Sequence, residues 1–331
     1  MPENAQTETI EPFYHLRKDA GIIIDLPVQD DAGRFHMWRR NGSDWIRIQP
    51  SDIIESDYFA KAPAAPGDVC FSFVNFLMQH CRNVKALSLW GAVRSDMHNL
   101  GTCFRKLELY HEKRTDKSCD TRRFVITEIE YVIGVCRSLY DLQQRIAKEL
   151  WGSVELLDKS VHKQNLPSSF ADMALTGDGA RSIVELRTKY GLSPALASFY
   201  FGEADFFRKL RKFRNDIEHL GLTPEFIFAT PKGFAVNADS KPFAQFGVWK
   251  EETFLPNKLA PLKPVIAHIV KETLFSMGRF VEALTKEIKF PDEIAPGYTV
   301  YMRGRYTDRL LQLAQYVESD QWYPESGPKN A

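Results

Sequence analysis

Apolar residues recur at helical spacing through most of the chain after residue 68. Across residues 89–112 the apolar positions lie three or four apart, which is the pattern of one face of an amphipathic helix. A second such pattern covers residues 122–151, and the polar residues 113–121 separate the two. Two long helices joined by a short polar turn form an antiparallel hairpin, so we expect a helical bundle.

Residues 1–66 have a different pattern. Residues 21–27 resemble a short strand, and two strand-like runs, 34–40 and 43–48, flank Asn41-Gly42. Asn-Gly in this setting is a strong signal for a two-residue hairpin turn. The Ala- and Pro-rich residues 60–67 then predict a linker. A β-rich segment is therefore expected before the bundle.

Helical spacing continues up to Gly221. Residues 181–190 predict a short helix closed by Gly191, and Ser193-Pro194 predict the N-cap and first position of the next helix. Residues 205–221 then carry apolar positions four and three apart, namely Phe206, Leu210, Phe213, Ile217 and Leu220. Gly221 follows the last of these, where a left-handed C-terminal cap belongs.

After Gly221 the period changes from helix to strand. Residues 225–230 and 234–236 predict a hairpin, and 244–249 is a candidate third strand. Helical spacing resumes at Pro264 and continues to about residue 289. A last helix over 306–317 precedes a polar tail.

The expected fold is mainly α, with a small amount of β structure. We expect an antiparallel helical bundle over residues 67–290, with a small β-hairpin insertion at about 222–260. The β-rich segment and linker over 1–66 precede the bundle, and residues 291–331 form a C-terminal helix and tail.

Composition narrows the class of protein. The chain of 331 residues has 44% hydrophobic and 26% charged residues, as an ordinary globular protein does. With 43 basic and 43 acidic residues the net charge is zero, so nucleic-acid contact requires a local basic patch. The five cysteines and eight histidines have no metal-ligand spacing, and we expect neither a metal nor another cofactor. A polar N-terminus and the lack of a long apolar run predict a cytoplasmic protein with no membrane contact.

The polar face of the 205–221 helix carries the most suggestive chemistry. Asn215 and His219 are four residues apart, so their side chains meet on one face, and Arg214 can lean towards the same edge. An imidazole that moves protons near neutral pH, beside a guanidinium that holds a phosphate, suits phosphodiester cleavage. Two simpler interpretations stand beside this one. A basic run is commonly a solvated helix face, and Arg105 with His111 satisfies the same short pattern.

The helix pair, followed by a helix that contains Arg214-Asn-Asp-Ile-Glu-His219, resembles the HEPN superfamily. The motif of this superfamily is an Arg followed by a polar residue, with a His four to six residues after the Arg. It lies late in a helical bundle. Arg214, Asn215 and His219 match that motif one for one. Arg105 and His111 match it less well, because they fall in the first long helix and Lys106 follows the Arg.

The resemblance implies a HEPN-like bundle that acts as a metal-independent endoribonuclease in toxin–antitoxin or antiviral defence systems. It implies a homodimer with the site at the subunit interface, and an antitoxin or regulatory protein as a further partner. His219 would activate the ribose 2′-hydroxyl or protonate the leaving oxygen, Arg214 would hold the scissile phosphate, and Asn215 would orient either group. Flanking phosphates of the RNA would bind the basic residues before them, which are Arg208, Lys209, Arg211 and Lys212.

One position departs from the family pattern. Toxins paired with a nucleotidyltransferase antitoxin carry a Tyr two residues after the His, and here that residue is Gly221. The resemblance therefore does not extend to this form of control. Two alternatives stay open: a non-catalytic nucleotide- or RNA-binding adaptor that uses the same basic face, and a protein-interaction scaffold in which that face is merely solvated.

Overall fold

The computed structural model describes residues 26–41, 44–81, 83–153, 155–157, 162–220 and 226–318, without the side chains of 38–41, 44–46, 153 and 218–220. Helices dominate the described residues, which confirms the mainly α class. In chain order the α-helices are α1 (Ser72–His80), α2 (Val84–Glu112), α3 (Thr121–Ser153), α4 (Phe170–Ala174), α5 (Ile183–Tyr190), α6 (Pro194–Leu220), α7 (Lys241–Ala244), α8 (Leu262–Thr285), α9 (Asp308–Leu311) and α10 (Leu313–Glu318).

The β structure consists of short strands in four sheets. The strands are β1 (Val28–Gln29), β2 (Phe35–Asn41), β3 (Asp44–Ile48), β4 (Ser56–Ala60), β5 (Glu155–Leu156), β6 (Leu175–Thr176), β7 (Gly179–Ala180), β8 (Phe228–Thr230), β9 (Gly233–Asn237), β10 (Leu259–Pro261), β11 (Ile288–Lys289) and β12 (Thr299–Arg303).

The two longest helices form the predicted antiparallel hairpin. Near the connecting turn, Lys106 of α2 binds both carboxylate oxygens of Glu128 of α3 at 3.2 Å. At the far end the Asn83 side chain caps α2 and also donates to the Glu149 carbonyl, at 3.1 Å. Contacts at both ends show that α2 and α3 run side by side along their length.

Helices α6 and α8 complete the core against this hairpin. The Tyr200 hydroxyl donates to Gln144 Oε1 at 2.8 Å, and the Tyr140 hydroxyl donates to Glu203 Oε2 at 3.1 Å. Residue numbers thus rise along α6 as they fall along α3, so these two helices are antiparallel. Helix α8 is apolar on most sides and buried along most of its length, as a central helix of a bundle should be.

The N-terminal strands join a strand from the far end of the chain. The five-stranded sheet has the order β12-β4-β1-β2-β3, in which only the β1–β4 pair is parallel. The predicted hairpin is confirmed, but Asn41, a predicted turn residue, belongs to β2 and pairs with Asp44 of β3. Of the predicted strand 21–27, residues 21–25 lie outside the described residues, and β1 begins at Val28.

Three predicted elements differ from the structure. The hairpin β8–β9 is confirmed, but its third strand is β10. Ala244 ends the short helix α7, and residues 245–249 form no strand. Helix α8 ends at Thr285, and the predicted last turn is β11, which pairs with β5. The predicted helix over 306–317 is two short helices, α9 and α10, separated at Gln312.

Candidate functional site

Helix α6, which we call the motif helix, carries all seven predicted site residues in one continuous element. It begins at Pro194 as predicted, with Ser193 Oγ accepting a hydrogen bond from the Leu196 amide at 3.4 Å. Its last residue is Leu220, immediately before the predicted cap. Because the helix is unbroken, residues 214–219 keep regular helical spacing.

The predicted apolar stripe of the motif helix faces the core, and one further residue, Phe207, is buried with it. Leu210 and Phe213 are fully buried, and Phe206 and Ile217 are partly buried against the same core. Phe207, which did not belong to the predicted stripe, is fully buried as well and packs on Phe170 with ring centroids 4.8 Å apart. Leu220 has no described side chain. The core contact therefore fixes the rotation of the helix about its axis.

An ion pair with a buried carboxylate anchors the motif helix to its neighbours. Glu203 is 6% exposed and receives the Arg279 guanidinium through two nitrogens, at 2.6 and 3.2 Å. The Tyr140 hydroxyl donates to the same carboxylate, and Arg279 also reaches Glu272 at 3.4 Å. Burial and the adjacent Glu203 raise the pKa of the Tyr140 hydroxyl well above its ordinary range, so it stays a donor.

Three of the four predicted phosphate-binding residues form ion pairs within the motif helix. Arg208 and Lys209 both bind Asp205, at 2.6 and 2.9 Å, and Lys212 binds Asp216 at 2.9 Å. Hydrogen bonds from Arg208 and Lys209 lower the pKa of Asp205. Arg211 is half-exposed and forms no ion pair with another described residue. Exposed intrahelical pairs are worth less than about 1 kcal/mol, so a phosphate can displace these carboxylates.

Two of the three predicted catalytic residues have described side chains. Arg214 and Asn215 are half-exposed near the C-terminal end of the motif helix. Residue 219 lies one turn beyond Asn215 along the same line of the helix, whereas positions 214 and 219 are about 140° apart around the axis. The side chain of His219 lies outside the described residues, so its expected approach to Arg214 stays a prediction.

Arg105 and His111, the second Arg–His match in the sequence, contact neighbouring residues of the fold. Arg105 binds Glu108 and Glu112 at 3.3 and 3.1 Å, within its own helix. His111 is buried, and its Nε2 donates to the Thr230 carbonyl of the hairpin at 2.7 Å. Burial lowers the pKa of His111. Both side chains are thus occupied by contacts that hold α2 and the hairpin in place.

Another histidine lies beside the motif helix, although no pattern in the sequence singled it out. His268 of α8 packs edge-on against Phe206, with ring centroids 6.1 Å apart. Burial lowers its pKa, and the nearby Lys271 and Lys209 act in the same direction. Glu272 opposes this shift, and the lowered pKa favours the neutral imidazole beside Lys209. Only its helical spacing was visible in the sequence, because its neighbours come from distant segments.

The described residues contain no group of three or more His, Cys, Asp or Glu side chains that could hold a metal ion. No described helix has the length and hydropathy needed to cross a bilayer. All five cysteines are free thiols.

Comparison with known proteins finds no counterpart. No protein-family model matches the chain, and neither the curated proteins nor the solved structures contain a match.

Proposed function

We propose that the protein is a metal-independent endoribonuclease of HEPN type, with Arg214, Asn215 and His219 as its catalytic residues. The observation that carries this proposal is the placement of the motif at the half-exposed C-terminal end of a long, firmly anchored helix. Both described motif side chains, Arg214 and Asn215, are partly exposed, which supports contact with a phosphate backbone. Such an enzyme would act in a toxin–antitoxin or antiviral defence system.

The reaction requires only groups that the chain and the RNA supply. The ribose 2′-oxygen attacks the adjacent phosphorus and loses its proton to a base, while the bond from phosphorus to the 5′-oxygen breaks and that oxygen receives a proton. The products are a 2′,3′-cyclic phosphate and a 5′-hydroxyl. An imidazole at position 219 would move a proton near neutral pH. Arg214 would hold the non-bridging oxygens, and Asn215 would orient the imidazole or the phosphate.

A dimer surface that follows the motif along the chain accompanies this proposal. Strand β8 lies at the edge of its sheet and begins eight residues after the end of the motif helix. Phe226 and Phe228 expose 59% and 39% of their surface there, with ring centroids 6.2 Å apart. An exposed edge strand beside exposed aromatic rings favours association with another chain. We propose that a second copy covers this edge and brings a second motif to the same cleft.

The test is RNA cleavage by the purified protein in EDTA. We expect products with cyclic phosphate ends, and no cleavage where the substrate carries 2′-deoxyribose. Arg214→Ala and His219→Ala should each slow cleavage at least about 100-fold, the usual contribution of a positioned acid–base group. The control is His162→Ala, at an exposed histidine of another segment. A wild-type protein without activity, or a His219→Ala variant as fast as wild type, would refute the proposal.

A non-catalytic RNA-binding adaptor is the second candidate, and the intrahelical ion pairs favour it. Asp205 and Asp216 already neutralise part of the basic face, which suits displaceable binding more than a fixed catalytic cleft. This alternative predicts salt-dependent binding without turnover, weakened by Arg211→Ala and Lys212→Ala. A protein-interaction scaffold, in contrast, would show no affinity for RNA and no effect of Arg214→Ala.

A further inference from the structure

A long groove lies at the end of the bundle opposite the catalytic motif. Its larger part, of about 790 Å³, is bounded by the end of α1, the start of α2, the end of α3 and the β5–β11 pair. A smaller concavity of about 260 Å³ adjoins it between α2 and α3. The two parts share Lys85 and Glu149 in their walls, so they form one continuous surface, which we call the distal groove.

The distal groove is remote from Arg214. Tyr200 contacts Gln144, the residue next to Arg145 in the groove wall. Arg214 lies fourteen residues beyond Tyr200, which is about 21 Å along the helix axis at ~1.5 Å per residue. A ligand in the distal groove therefore uses side chains that the catalytic motif does not use.

Four cations line the distal groove without a carboxylate partner. Lys85, Arg145, Lys148 and Lys289 are exposed, and among the described residues none of them forms an ion pair. Glu149 and Glu155 also line the groove, which leaves two more cations than carboxylates. Three cations of the motif helix, Arg208, Lys209 and Lys212, are in contrast bound to Asp205 or Asp216. Unpaired cations around a concave surface attract an anionic ligand more strongly than paired ones.

Aromatic and apolar groups lie between these cations. Phe290 is held edge-on against Phe76, with ring centroids 4.7 Å apart, and the His80 ring is 6.3 Å from Phe290. His80 Nδ1 donates to the Pro291 carbonyl at 2.9 Å, which fixes the imidazole in place. Val84 exposes 70% of its surface at the start of α2. The groove thus combines an apolar, partly aromatic wall with separated positive charges.

The N-terminus of α2 adds to the positive potential but offers few free donors. The Asn83 side chain already accepts hydrogen bonds from the amides of Lys85 and Ala86. The helix dipole still favours an anion at this end. Contacts to a ligand must therefore come mainly from the lysine and arginine side chains.

We propose that the distal groove binds a single strand of nucleic acid. Lys85, Arg145, Lys148 and Lys289 contact successive phosphates, and a base stacks on the surface formed by Phe290 and His80. Positive charge along a groove together with aromatic rings is the combination that sequence-independent single-strand binding uses. A flat membrane surface does not enter a concave groove, and an acidic peptide gains nothing from a ring placed for stacking. This inference does not depend on cleavage at the catalytic motif.

The test is the binding of a fluorescently labelled twelve-nucleotide oligouridylate to the full chain, measured by anisotropy. The double variant Lys85→Gln/Lys148→Gln should bind at least tenfold more weakly. Loss of two phosphate contacts should also lower the slope of log affinity against log salt by about 1.4, at ~0.7 per contact for single strands. The matched control is Lys61→Gln/Lys258→Gln, which removes two exposed cations that pair with Asp31 and Asp239 outside the distal groove and should leave this affinity within twofold.

Further binding measurements complete the test. Phe290→Leu should weaken oligouridylate binding severalfold and leave the binding of inorganic tripolyphosphate unchanged. A twelve-nucleotide oligodeoxythymidylate, which lacks the 2′-hydroxyl needed for cleavage, should lose affinity in the double variant by the same factor, so failure of the proposed cleavage leaves this result intact. The inference is wrong if the double variant, folded by circular dichroism, binds like wild type. It is equally wrong if tripolyphosphate or phosphatidylserine vesicles bind as tightly as the oligonucleotide.

Discussion

Asp57 is a carboxyl group buried completely between the five-stranded sheet and helix α2. Trp90 Nε1 donates to its Oδ2 at 3.2 Å, and the Arg94 guanidinium stands 3.8 Å from the same oxygen. Its Oδ1 is buried and accepts no hydrogen bond from a described residue. Burial raises the pKa of Asp57 from its ordinary 3.8 to about 7, against the opposing effects of Arg94 and Trp90. This carboxyl therefore titrates near neutral pH.

Asp57 should make stability depend on pH between about 4 and 7. Its pKa is higher in the folded state, so folding takes up a proton in this range, and stability falls as pH rises through it by at most about 1.4 kcal/mol per pH unit. Above pH 7 both states are ionised and the slope ends. Asp57→Asn cannot ionise, so it should remove this slope and be more stable than wild type at pH 8. The measurement is urea unfolding at pH 5, 6, 7 and 8.

The control for Asp57 is Asp31→Asn. Asp31 is 65% exposed and pairs with Lys61 at 2.8 Å on the surface, so its replacement should shift stability by less than about 1 kcal/mol. The pH slope of wild type should persist in that variant. If Asp57→Asn changed stability by the same amount at every pH, the carboxyl would not titrate in this range.

At the scale of elements, the Glu203–Arg279 pair should be the main polar contact that holds the motif helix on α3 and α8. Glu203→Gln leaves the guanidinium without this counter-charge, but Arg279 is 40% exposed and keeps Glu272 at 3.4 Å, so the loss should be about 2 kcal/mol. We expect a loss of that size in urea unfolding. Tyr140→Phe removes only one neutral donor from the same carboxylate and should cost about 1 kcal/mol.

The control pair belongs to the same helix. Arg208→Gln breaks a contact of similar length, 2.6 Å, but its side chains are 52% and 57% exposed. Solvent screening should keep its cost under about 1 kcal/mol. Equal losses for Glu203→Gln and Arg208→Gln would show that burial does not set the strength of the anchor.

The sequence predicts those elements whose signals are local. Helices α2, α3 and α6 follow from apolar spacing and a Ser-Pro start, and the hairpin at Asn41 follows from its turn. The anchor of the motif helix could not be predicted, because Glu203 and Arg279 are 76 residues apart. For the same reason, the sequence of α8 does not show that residues 288–289, predicted as helix, form a strand that pairs with β5. The sequence alone predicts that the motif lies on a helix. It does not predict which side chains surround the motif, because those come from distant segments of the chain.

At the scale of the whole molecule, the two ends of the described chain meet in one sheet. Strand β12 pairs with β4 over five residues, from Thr299–Ala60 to Arg303–Ser56, and the sequence analysis assigned no strand there. Two strands that pair across about 240 residues leave no signal in the sequence that connects them. Each one is only a run of five residues, too short for its alternation to stand out. The same sheet packs Phe59, Val300 and Met302 into the core formed by the helices. The N-terminal strands are therefore stabilised by the far end of the chain.

A buried polar cluster holds this sheet to the start of the helical region. Asp68 Oδ1 and Oδ2 accept hydrogen bonds from Arg303 Nε and Nη2, at 2.9 and 2.8 Å. Oδ2 also accepts from the Tyr58 hydroxyl at 2.5 Å and from the Ala65 amide at 2.8 Å. The predicted linker is thus fixed by its own backbone to a carboxylate. Asp68 is 2% exposed in its side chain, so these partners take the place of water around the carboxylate.

Replacement of Asp68 should loosen both ends of the chain together. Asp68→Asn keeps the size of the side chain but leaves Arg303 without a buried counter-charge, so we expect a loss of about 3 kcal/mol or more. Amide hydrogen exchange should rise in β4 and in β12 alike, and less in α3, because α3 packs on helices that the variant leaves intact. Asp52→Asn is the matched control: Asp52 binds the same guanidinium at 3.3 Å but is 72% exposed, which predicts less than about 1 kcal/mol. Faster exchange confined to β4, with β12 still protected, would mean that the two strands do not depend on one another. The sheet would then not hold the two ends of the chain together.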